Sequence, residues 1–280
     1  MNIVKILCVG DVVGPAGRAM VQKIVPNFKR THDIDCVIIN GENAAHDGRG
    51  ITERMVHFFK HNGADVITTG NHVWAKKEIY DYLDKHTDLL RPANYPTGVP
   101  GVGMTIVTTK KGVSIGVINL QGRVFMRELV NCPFRAADSL IAYAKTKAQL
   151  IMVDFHAETS AEKQALAFYL DGRVTGIVGT HTHVQTADER ILPEGTAFIT
   201  DLGMTGSLNS MIGMKKEPVL KNFLLQMPTT FQVETSAPLV LSGVVITADA
   251  ETGMAQGIER VRIVDNELVV TPEQSPERSS

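Results

Sequence analysis

The amino-acid sequence predicts an α/β fold, and two observations support this prediction. Short apolar, β-branched runs recur along the chain, and amphipathic stretches separate them. Strands that are apolar on both faces and alternate with helical segments indicate a sheet that is covered by helices. The composition agrees, because 44% hydrophobic and 21% charged residues over 280 positions are enough to bury a large core. The runs are IVKILCVGD, CVIINGEN, DVITTGN, SIGVINLQG, LIMVDFH, GIVGTHTH and AFITDLG.

Three helices can be placed from the residues at their ends. The first begins near Pro15, a residue favoured at the first helical position, and runs to about residue 30. The second covers residues 52–62, with Thr52 as the expected cap and a glycine after its end. The third covers residues 160–170. All three lie between predicted strands, as an α/β fold requires.

The remaining segments predict a loop, a group of strands and a tail. Residues 91–103 are dense in Pro and Gly and predict a loop. After about residue 238, strands joined by turns predict an antiparallel edge to the same core. Residues 271–280 have no apolar content and predict a disordered tail. We therefore expect one domain over residues 1–270.

Charge and cysteine content restrict the class of protein. A formal net charge of −2 carries no signature of nucleic-acid or membrane-surface binding. Lys5 and Asp11 interrupt the first apolar stretch, which is too short for a signal peptide or a membrane span, so we expect a cytoplasmic protein. Cys8, Cys36 and Cys132 are odd in number and lack CxxC spacing, which supports neither a disulfide framework nor a zinc ribbon.

Residues 8–17, CVGDVVGPAG, allow two interpretations, a phosphate-binding glycine loop or a strand end that holds a metal. The glycine spacing G-x-x-x-G-x-x-G differs from the G-x-G-x-x-G of dinucleotide-binding oxidoreductases. A Ser-His-Asp hydrolase is also disfavoured, because the chain has no G-x-S-x-G motif. Asp11 therefore becomes a candidate metal ligand.

Polar side chains follow five of the apolar runs, at the point where each predicted strand ends. The carboxyl ends of strands form the ligand crevice of open α/β sheets, so these side chains should converge. Mixed oxygen and nitrogen donors suit manganese, iron or zinc, and two such metals serve in-line displacement at phosphorus. The candidates are Asp11, Glu42, Asn43, Asn71, His72, His156, His181 and His183.

Each of these motifs alone has a simpler explanation. Asp11 is also typical of a helix cap, and the GNH of residues 70–72 is typical of a turn. His181 and His183 differ from these motifs, because on a strand they would face the same side and could aim two rings at one point. The remaining five histidines are expected at the surface: His32, His46, His57, His61 and His86. Of these, His46 follows GEN closely enough for a supporting role at the site.

The order of these motifs resembles the YmdB family of the calcineurin-like metallophosphoesterase superfamily. Matching stretches include GDVVGPAGR, INGENAA, TTGNHVW, VDFHAETSAEK and GTHTHVQTADERILP, and they span residues 3 to about 263. Val13 stands where the superfamily's DxH motif has a ligand histidine, and GEN replaces its usual GD. The YmdB family shows both departures, and Asn43 can supply the ligand that Val13 cannot. In the superfamily an acidic residue frequently follows this histidine, whereas here Val73 follows His72.

The resemblance implies a metallophosphoesterase-type sandwich of mixed β-sheets flanked by helices, with two divalent metal ions, iron or manganese first and zinc as a further option. Glu42 would bridge the two ions, and His72 would lie beside the scissile phosphate as a catalytic residue that binds no metal. The implied ligands are Asp11, Glu42, Asn43 and His183 for one ion, and Glu42, Asn71, His156 and His181 for the other.

The predicted function is hydrolysis of a nucleotide-type phosphodiester, with cyclic nucleotides included, by a hydroxide that bridges two metals. The alternative is a metal-dependent nucleotide-binding regulatory protein with little turnover, and protein phosphatase activity would use the same centre. Arg123 is a candidate phosphate ligand or a surface arginine. Phe125, Met126 and residues 204–214 are candidates for a substrate mouth, an oligomer contact or packing, and we expect a homo-oligomer with a small phosphodiester substrate.

Overall fold

Two β-sheets lie face to face at the centre of this computed structural model, which describes residues 2–270. The predicted tail at 271–280 lies outside the described residues. The strands are β1 (Ile3–Val9), β2 (Asp11–Val12), β3 (Cys36–Asn40), β4 (Val66–Thr68), β5 (Met104–Thr108), β6 (Ser114–Gln121), β7 (Leu150–His156), β8 (Gly176–Thr180), β9 (Arg190–Ile191), β10 (Ala197–Ile199), β11 (Met204–Ser207), β12 (Leu239–Asp249) and β13 (Ala255–Asp265). The helices are α1 (Gly14–Thr31), α2 (Glu53–His61), α3 (Ile79–Lys85), α4 (Pro133–Ala144), α5 (Ser160–Leu170) and α6 (Lys216–Leu225).

The first sheet has the strand order β2-β11-β12-β1-β3-β4, and β13 pairs with β12. Strands β1, β3 and β4 are parallel, with Leu7 opposite Val37. The long strand β12 runs antiparallel to β1 and also pairs with β11 and β13. The parallel strands β1, β3 and β4 therefore end at the same edge of this sheet.

The second sheet has the strand order β5-β6-β7-β8-β10-β9. Its four inner strands are parallel, and the edge strands β5 and β9 are antiparallel to their neighbours. Strand β7 carries no exposed residue along its length, as expected for an inner strand of a sheet covered on both faces.

Three apolar clusters hold four layers together. Alternate residues of β1 point to opposite faces, so Ile6 and Cys8 enter the cluster between the sheets while Leu7 and Val9 pack toward α1 and α2. A third cluster packs α4 and α5 on the outer face of the second sheet. The result is a helix–sheet–sheet–helix sandwich, which confirms the predicted fold class.

The predicted helices are confirmed, with small changes at their ends. Helix α1 covers Gly14–Thr31, α2 covers Glu53–His61, and α5 covers Ser160–Leu170. Thr52 takes the N-cap position of α2, but its side chain makes no capping hydrogen bond. At α5, the hydroxyl of Thr159 accepts a hydrogen bond from the backbone N–H of Glu162.

Several elements could not be identified from the sequence. The strands β2, β5, β9 and β11 and the helices α3, α4 and α6 belong to this group. Strands β2 and β9 are two residues long, which is too short for a periodic pattern in the sequence. At the C-terminus the predicted antiparallel strands are confirmed, with β13 at the edge and β12 inside the sheet. Within residues 2–270, no helix combines the length and the apolar character needed to cross a membrane.

Candidate metal centre

All eight side chains that the sequence analysis selected meet at one place. They lie at the carboxyl ends of β1, β3 and β4 in the first sheet and of β7 and β8 in the second, so both sheets contribute to one crevice. Contacts of 3.8 Å or shorter connect seven of these side chains, and the eighth residue, His181, joins them through its backbone N–H. The longest of these joins His183 Nε2 to Asp11 Oδ1.

One half of the site is organised around His156. Its Nδ1–H donates to Thr180 Oγ1 at 3.0 Å, because the Thr180 hydroxyl donates its own proton to Asp154 Oδ1 at 2.8 Å. The Nε2 atom of His156 therefore faces Glu42 Oε1 at 3.2 Å and Asn71 Oδ1 at 3.0 Å. These three atoms are of the kinds that bind metals, and a cation at their centre would take the place of the Nε2 proton.

His181 joins this half of the site. One ligand atom each from Glu42, His156 and His181 lie within 4.8 Å of one another, and the first two residues are buried. On its other side, His181 Nε2 lies 3.1 Å from Glu158 Oε2. The sequence analysis did not include Glu158, although it follows β7 by two residues, the kind of position that identified the other candidates.

The other half of the site contains Asp11, Asn43 and His183. The Nδ1–H of His183 donates to the carbonyl oxygen of Ile212 at 2.8 Å, so its Nε2 faces Asp11 and the Asn43 amide. Asn43 donates from Nδ2 to His183 Nε2 at 3.0 Å and accepts from His72 Nδ1 at 2.8 Å. Asn43 thus connects the candidate ligand His183 to the candidate catalytic residue His72.

Two carboxylate oxygens in the centre are buried without a hydrogen-bond donor among the described residues. They are Asp11 Oδ1 and Glu42 Oε1, one in each half of the site. A buried charged oxygen without a partner is costly, and a bound cation removes this cost. The donor set of carboxylate, amide and imidazole atoms therefore fits a divalent transition metal.

The pKa values of the buried groups in the centre shift in different directions. Burial raises the pKa of Asp11 to about 6, although His183 partly opposes this shift. Burial would also raise the pKa of Glu42, but His156 and His72 hold it well below its usual value. Burial alone would lower the pKa of His156, yet Glu42 raises it to about 9. Burial and the neighbouring His156 lower the pKa of His181 to about 3, which leaves this imidazole neutral and able to bind a metal.

Asp154 is a buried carboxylate that supports the centre through hydrogen bonds. It accepts hydrogen bonds from Asn40 Nδ2 at 3.1 Å, from Thr180 Oγ1 at 2.8 Å and from the Thr68 hydroxyl. Asn40 and Thr68 belong to the first sheet, whereas Asp154 and Thr180 belong to the second. Asp154 therefore joins the two sheets and orients His156 through Thr180. The sequence carried one signal that could have identified Asp154, its position as a polar residue inside the apolar run LIMVDFH.

The expectation that His181 and His183 lie on a strand is wrong. Strand β8 ends at Thr180, and both histidines have positive φ values, 99° and 65°, which turn the chain out of the extended conformation. Their rings are therefore positioned by a loop and not by the alternation of a strand. Asp201 holds this loop, accepting hydrogen bonds from Thr182 N at 3.2 Å and from Thr182 Oγ1 at 2.6 Å.

His72 lies at the entrance of the centre, where two cavities meet. These cavities have volumes of about 550 Å³ and 570 Å³, and both are lined by His72 and His181. Phe125 and Met126 line the first, and Ile212 lines the second, which places these apolar residues at the mouth of the site.

The other candidate residues lie outside the centre. Arg123 donates its backbone N–H to Glu162 Oε1 at 3.0 Å, and its side chain lines neither cavity, so its role as a phosphate ligand stays a prediction. All five remaining histidines are exposed, as expected: His32, His46, His57, His61 and His86.

Comparisons with known proteins identify relatives of this chain. A sequence model of the YmdB-like protein family matches residues 7–261. A 2',3'-cyclic-nucleotide 2'-phosphodiesterase of Bacillus subtilis (strain 168) is 51% identical over 264 residues, which cover 94% of this chain and 98% of the relative.

Solved structures extend the comparison to the fold. The crystal structure of a novel phosphatase of Mycoplasma pneumoniae has a TM-score of 0.88 at 36% identity and covers 95% of each chain. A putative 5'-nucleotidase of Staphylococcus aureus has a TM-score of 0.61 at 17% identity, over 97% of this chain and 56% of that chain, which shows a shared fold alone. The family model over residues 7–261 and the relative of 51% identity together show that the chain belongs to the YmdB-like protein family.

Proposed function

We propose that this chain is a dinuclear metal-dependent phosphodiesterase that hydrolyses a nucleotide-type phosphodiester, such as a 2',3'-cyclic nucleotide. Its membership among phosphoric ester hydrolases follows from its relatives, a phosphodiesterase and a phosphatase. The observation that carries the dinuclear part is the pair of buried oxygens, Asp11 Oδ1 and Glu42 Oε1, that lack a donor. Each of them faces a histidine Nε2, at 3.8 Å and 3.2 Å.

The two half-sites define the two sets of ligands. The family resemblance assigns Glu42 to both: it lies 3.2 Å from His156 and 3.5 Å from His72, which in turn is hydrogen-bonded to Asn43 of the other half-site. Asn43 presents its amide nitrogen to His183, and a half-turn of the amide would present the oxygen instead. The proposed ligands are Asp11, Glu42, Asn43 and His183 for one cation, and Glu42, Asn71, His156 and His181 for the other.

Divalent cations bound there would lower the pKa of water at the site and neutralise the charge on the phosphate oxygens. Among the protein side chains, His72 is the candidate for proton transfer to the departing ester oxygen. With the Asn43 amide turned to present its oxygen to the cation, Asn43 Nδ2 would donate to His72 Nδ1, and the ring proton would then lie on Nε2, where this exchange needs it. The His72 side chain is 24% exposed, so a substrate can reach it from both cavities.

Metal analysis of the purified protein tests the ligand sets. We expect two equivalents of iron or manganese in the unchanged chain and a lower content in His156→Ala and in Asn43→Ala. His61→Ala is a matched control, because His61 is exposed at the end of α2. Unchanged metal content in His156→Ala would contradict the proposed centre.

An assay with 2',3'-cyclic AMP and manganese tests the reaction. We expect turnover that a chelator abolishes and that added manganese restores. Nucleotide binding without turnover would favour the alternative, a metal-dependent regulatory protein. Turnover of a phosphoprotein and of no nucleotide would favour a protein phosphatase.

We also propose a cytoplasmic location. Cys8, Cys36 and Cys132 are all free thiols, and the first two are buried. Free cysteines without disulfides are typical of reducing compartments. Fractionation of the producing cell with an antibody against the chain would test this location.

A further inference from the structure

Two cavities open from the candidate metal centre, one on each side of His72. Their volumes, about 550 Å³ and 570 Å³, both fall within the range of roughly 300–1,000 Å³ that is typical of small-molecule sites. Asp47, Arg49, His72 and His181 belong to both cavities, so the two spaces join at the centre. Each cavity is large enough for a nucleoside.

A cyclic mononucleotide occupies only one of these spaces, because it carries a single nucleoside. Each cavity nevertheless has an aromatic side chain at its wall. Phe125 lines the first and is 87% exposed, and Phe231 lines the second and is 45% exposed. Exposed aromatic rings are the surfaces on which unpaired bases stack.

Unpaired positive charge accompanies the aromatic rings. Arg49 lines both cavities and Arg127 lines the first, and neither guanidinium has an ion-pair or hydrogen-bond partner within residues 2–270. Lys76, in contrast, pairs with Asp47 at 2.8 Å. Free guanidinium groups beside a metal centre are suited to bind phosphate oxygens.

The two cavities differ in character. The Phe231 cavity is completed by Ile212 and Met214 and offers an apolar surface for a base. The Phe125 cavity contains Arg127 and is more polar. We therefore expect the base of a mononucleotide in the Phe231 cavity, with the Phe125 cavity left free.

We propose that the cleft accepts a linear dinucleotide-type phosphodiester, with one nucleoside in each cavity and the bridging phosphate at the metal centre. This inference rests on the proposed phosphodiesterase function and names a further substrate class for the same site. A water oxygen forms a new bond to phosphorus, the bond from phosphorus to one ribose oxygen breaks, and that oxygen takes up a proton. The products are a nucleotide and a nucleoside.

The charge of the whole chain limits the length of this substrate. A formal net charge of −2 offers no extended basic track for a long strand or a duplex. The free cations, Arg49 and Arg127, lie at the cavities themselves. The substrate class is therefore a short single-stranded oligonucleotide of two or a few residues.

The test compares two substrates, adenylyl-(3',5')-adenosine and 2',3'-cyclic AMP, in three variants of the full chain. Phe125→Ala should raise the KM for the dinucleotide about tenfold, in line with the loss of one stacked base. The same variant should leave the KM for the cyclic nucleotide within about twofold. Phe231→Ala should raise the KM for both substrates. Phe168→Ala is the control, because Phe168 is 54% exposed and lines neither cavity.

Thermal melting of each variant checks that it is folded. Phe125 and Phe231 are both exposed, so we expect their removal to leave the core intact. Turnover of the cyclic nucleotide without turnover of the dinucleotide would overturn this inference and leave the proposed function standing. Equal changes in KM for both substrates in Phe125→Ala would also overturn it. No turnover of either substrate with metal bound would count against the proposed function itself.

Discussion

His72 and His156 lie in the same centre but have different surroundings. His156 is fully buried, and its Nε2 faces two acceptors, Glu42 Oε1 and Asn71 Oδ1. His72 is partly exposed and donates to Asn43 at the mouth of the cavities. These surroundings agree with the proposed roles, His156 as a ligand and His72 as the residue that exchanges protons. Removing each side chain should have a different effect on metal content.

His72→Ala should retain both metals and lose activity. We expect kcat for 2',3'-cyclic AMP to fall about 100-fold or more, the usual contribution of a positioned proton donor. Metal content should stay at the level of the unchanged chain, because His72 is not among the proposed ligands. Metal analysis and steady-state kinetics on the same sample provide the measurement, with His61→Ala as control. Loss of metal in His72→Ala would make His72 a ligand.

Gly70 lies where no side chain fits. A Cβ atom at this position would lie 2.2 Å from His156 Cδ2 and 2.3 Å from Glu42 Oε2. Gly70→Ala should therefore displace both ligands and abolish metal binding. Gly116→Ala is the control, since its Cβ would meet Ala144 at 3.4 Å, an ordinary contact. Full metal content in Gly70→Ala, measured after purification, would show that the centre tolerates this displacement.

The loop after β8 depends on helix α5 and on the strand end after β10. Lys163 in α5 makes a buried ion pair with Asp201 at 2.7 Å, and Asp201 in turn binds the backbone and hydroxyl of Thr182. Thr182 lies between His181 and His183, which both have positive φ. The ion pair therefore positions two proposed ligands without touching the metal centre.

Lys163→Met should lower both stability and metal affinity. The substitution leaves the Asp201 carboxylate buried without its cation, which costs about 3–5 kcal/mol. Urea unfolding with and without manganese measures both effects. The control is Arg135→Met, which removes an ion pair with Asp138 whose guanidinium side chain is 82% exposed and should cost about 1 kcal/mol or less. Equal losses in the two variants would contradict a positioning role for Lys163.

The two sheets are held together by more than apolar packing. Asp154 in the second sheet accepts hydrogen bonds from Asn40 and Thr68 in the first, directly beneath the metal centre. Burial raises the pKa of Asp154, while the hydrogen bonds from Thr68 and Thr180 oppose this shift. The contact therefore stabilises the sandwich and aligns the ligand-bearing strand ends of both sheets.

Asp154→Ala should destabilise the whole molecule. The change leaves the donors of Asn40, Thr68 and Thr180 buried without an acceptor, so we expect a loss of about 3 kcal/mol or more in the free energy of unfolding. Denaturant unfolding of the apoprotein measures this loss. Asp138→Ala serves as the control, because Asp138 lies at the surface beside Arg173. A loss no larger than that of the control would contradict the role of Asp154.

The predicted homo-oligomer can be tested at helix α6. Phe223 and Leu224 are 70% and 80% exposed, an apolar surface that is costly to leave in water. If a second copy covers this surface, Leu224→Glu should shift the protein to a smaller mass in light scattering. Tyr143→Glu, on α4, is the control. A monomeric unchanged chain would show that the prediction of an oligomer is wrong.

The sequence by itself determined the alternation of strands and helices and the identity of the eight converging residues. Apolar periodicity is local, so it can be read within one segment, and a polar residue at a strand end has a position that the α/β class already implies. The family resemblance, now confirmed by the match over residues 7–261, added the order of the motifs. The strands β2 and β9, of two residues each, escaped this pattern.

Only the tertiary structure decided how these residues contact one another. Asp11 accepts a hydrogen bond from the backbone of His181, which lies 170 positions away, and Asp154 binds Asn40 across 114 positions. No local pattern encodes a pair at such a separation. The contact of His181 with Glu158 and the pair of cavities likewise depend on the packing of the two sheets, which brings their strand ends to one edge.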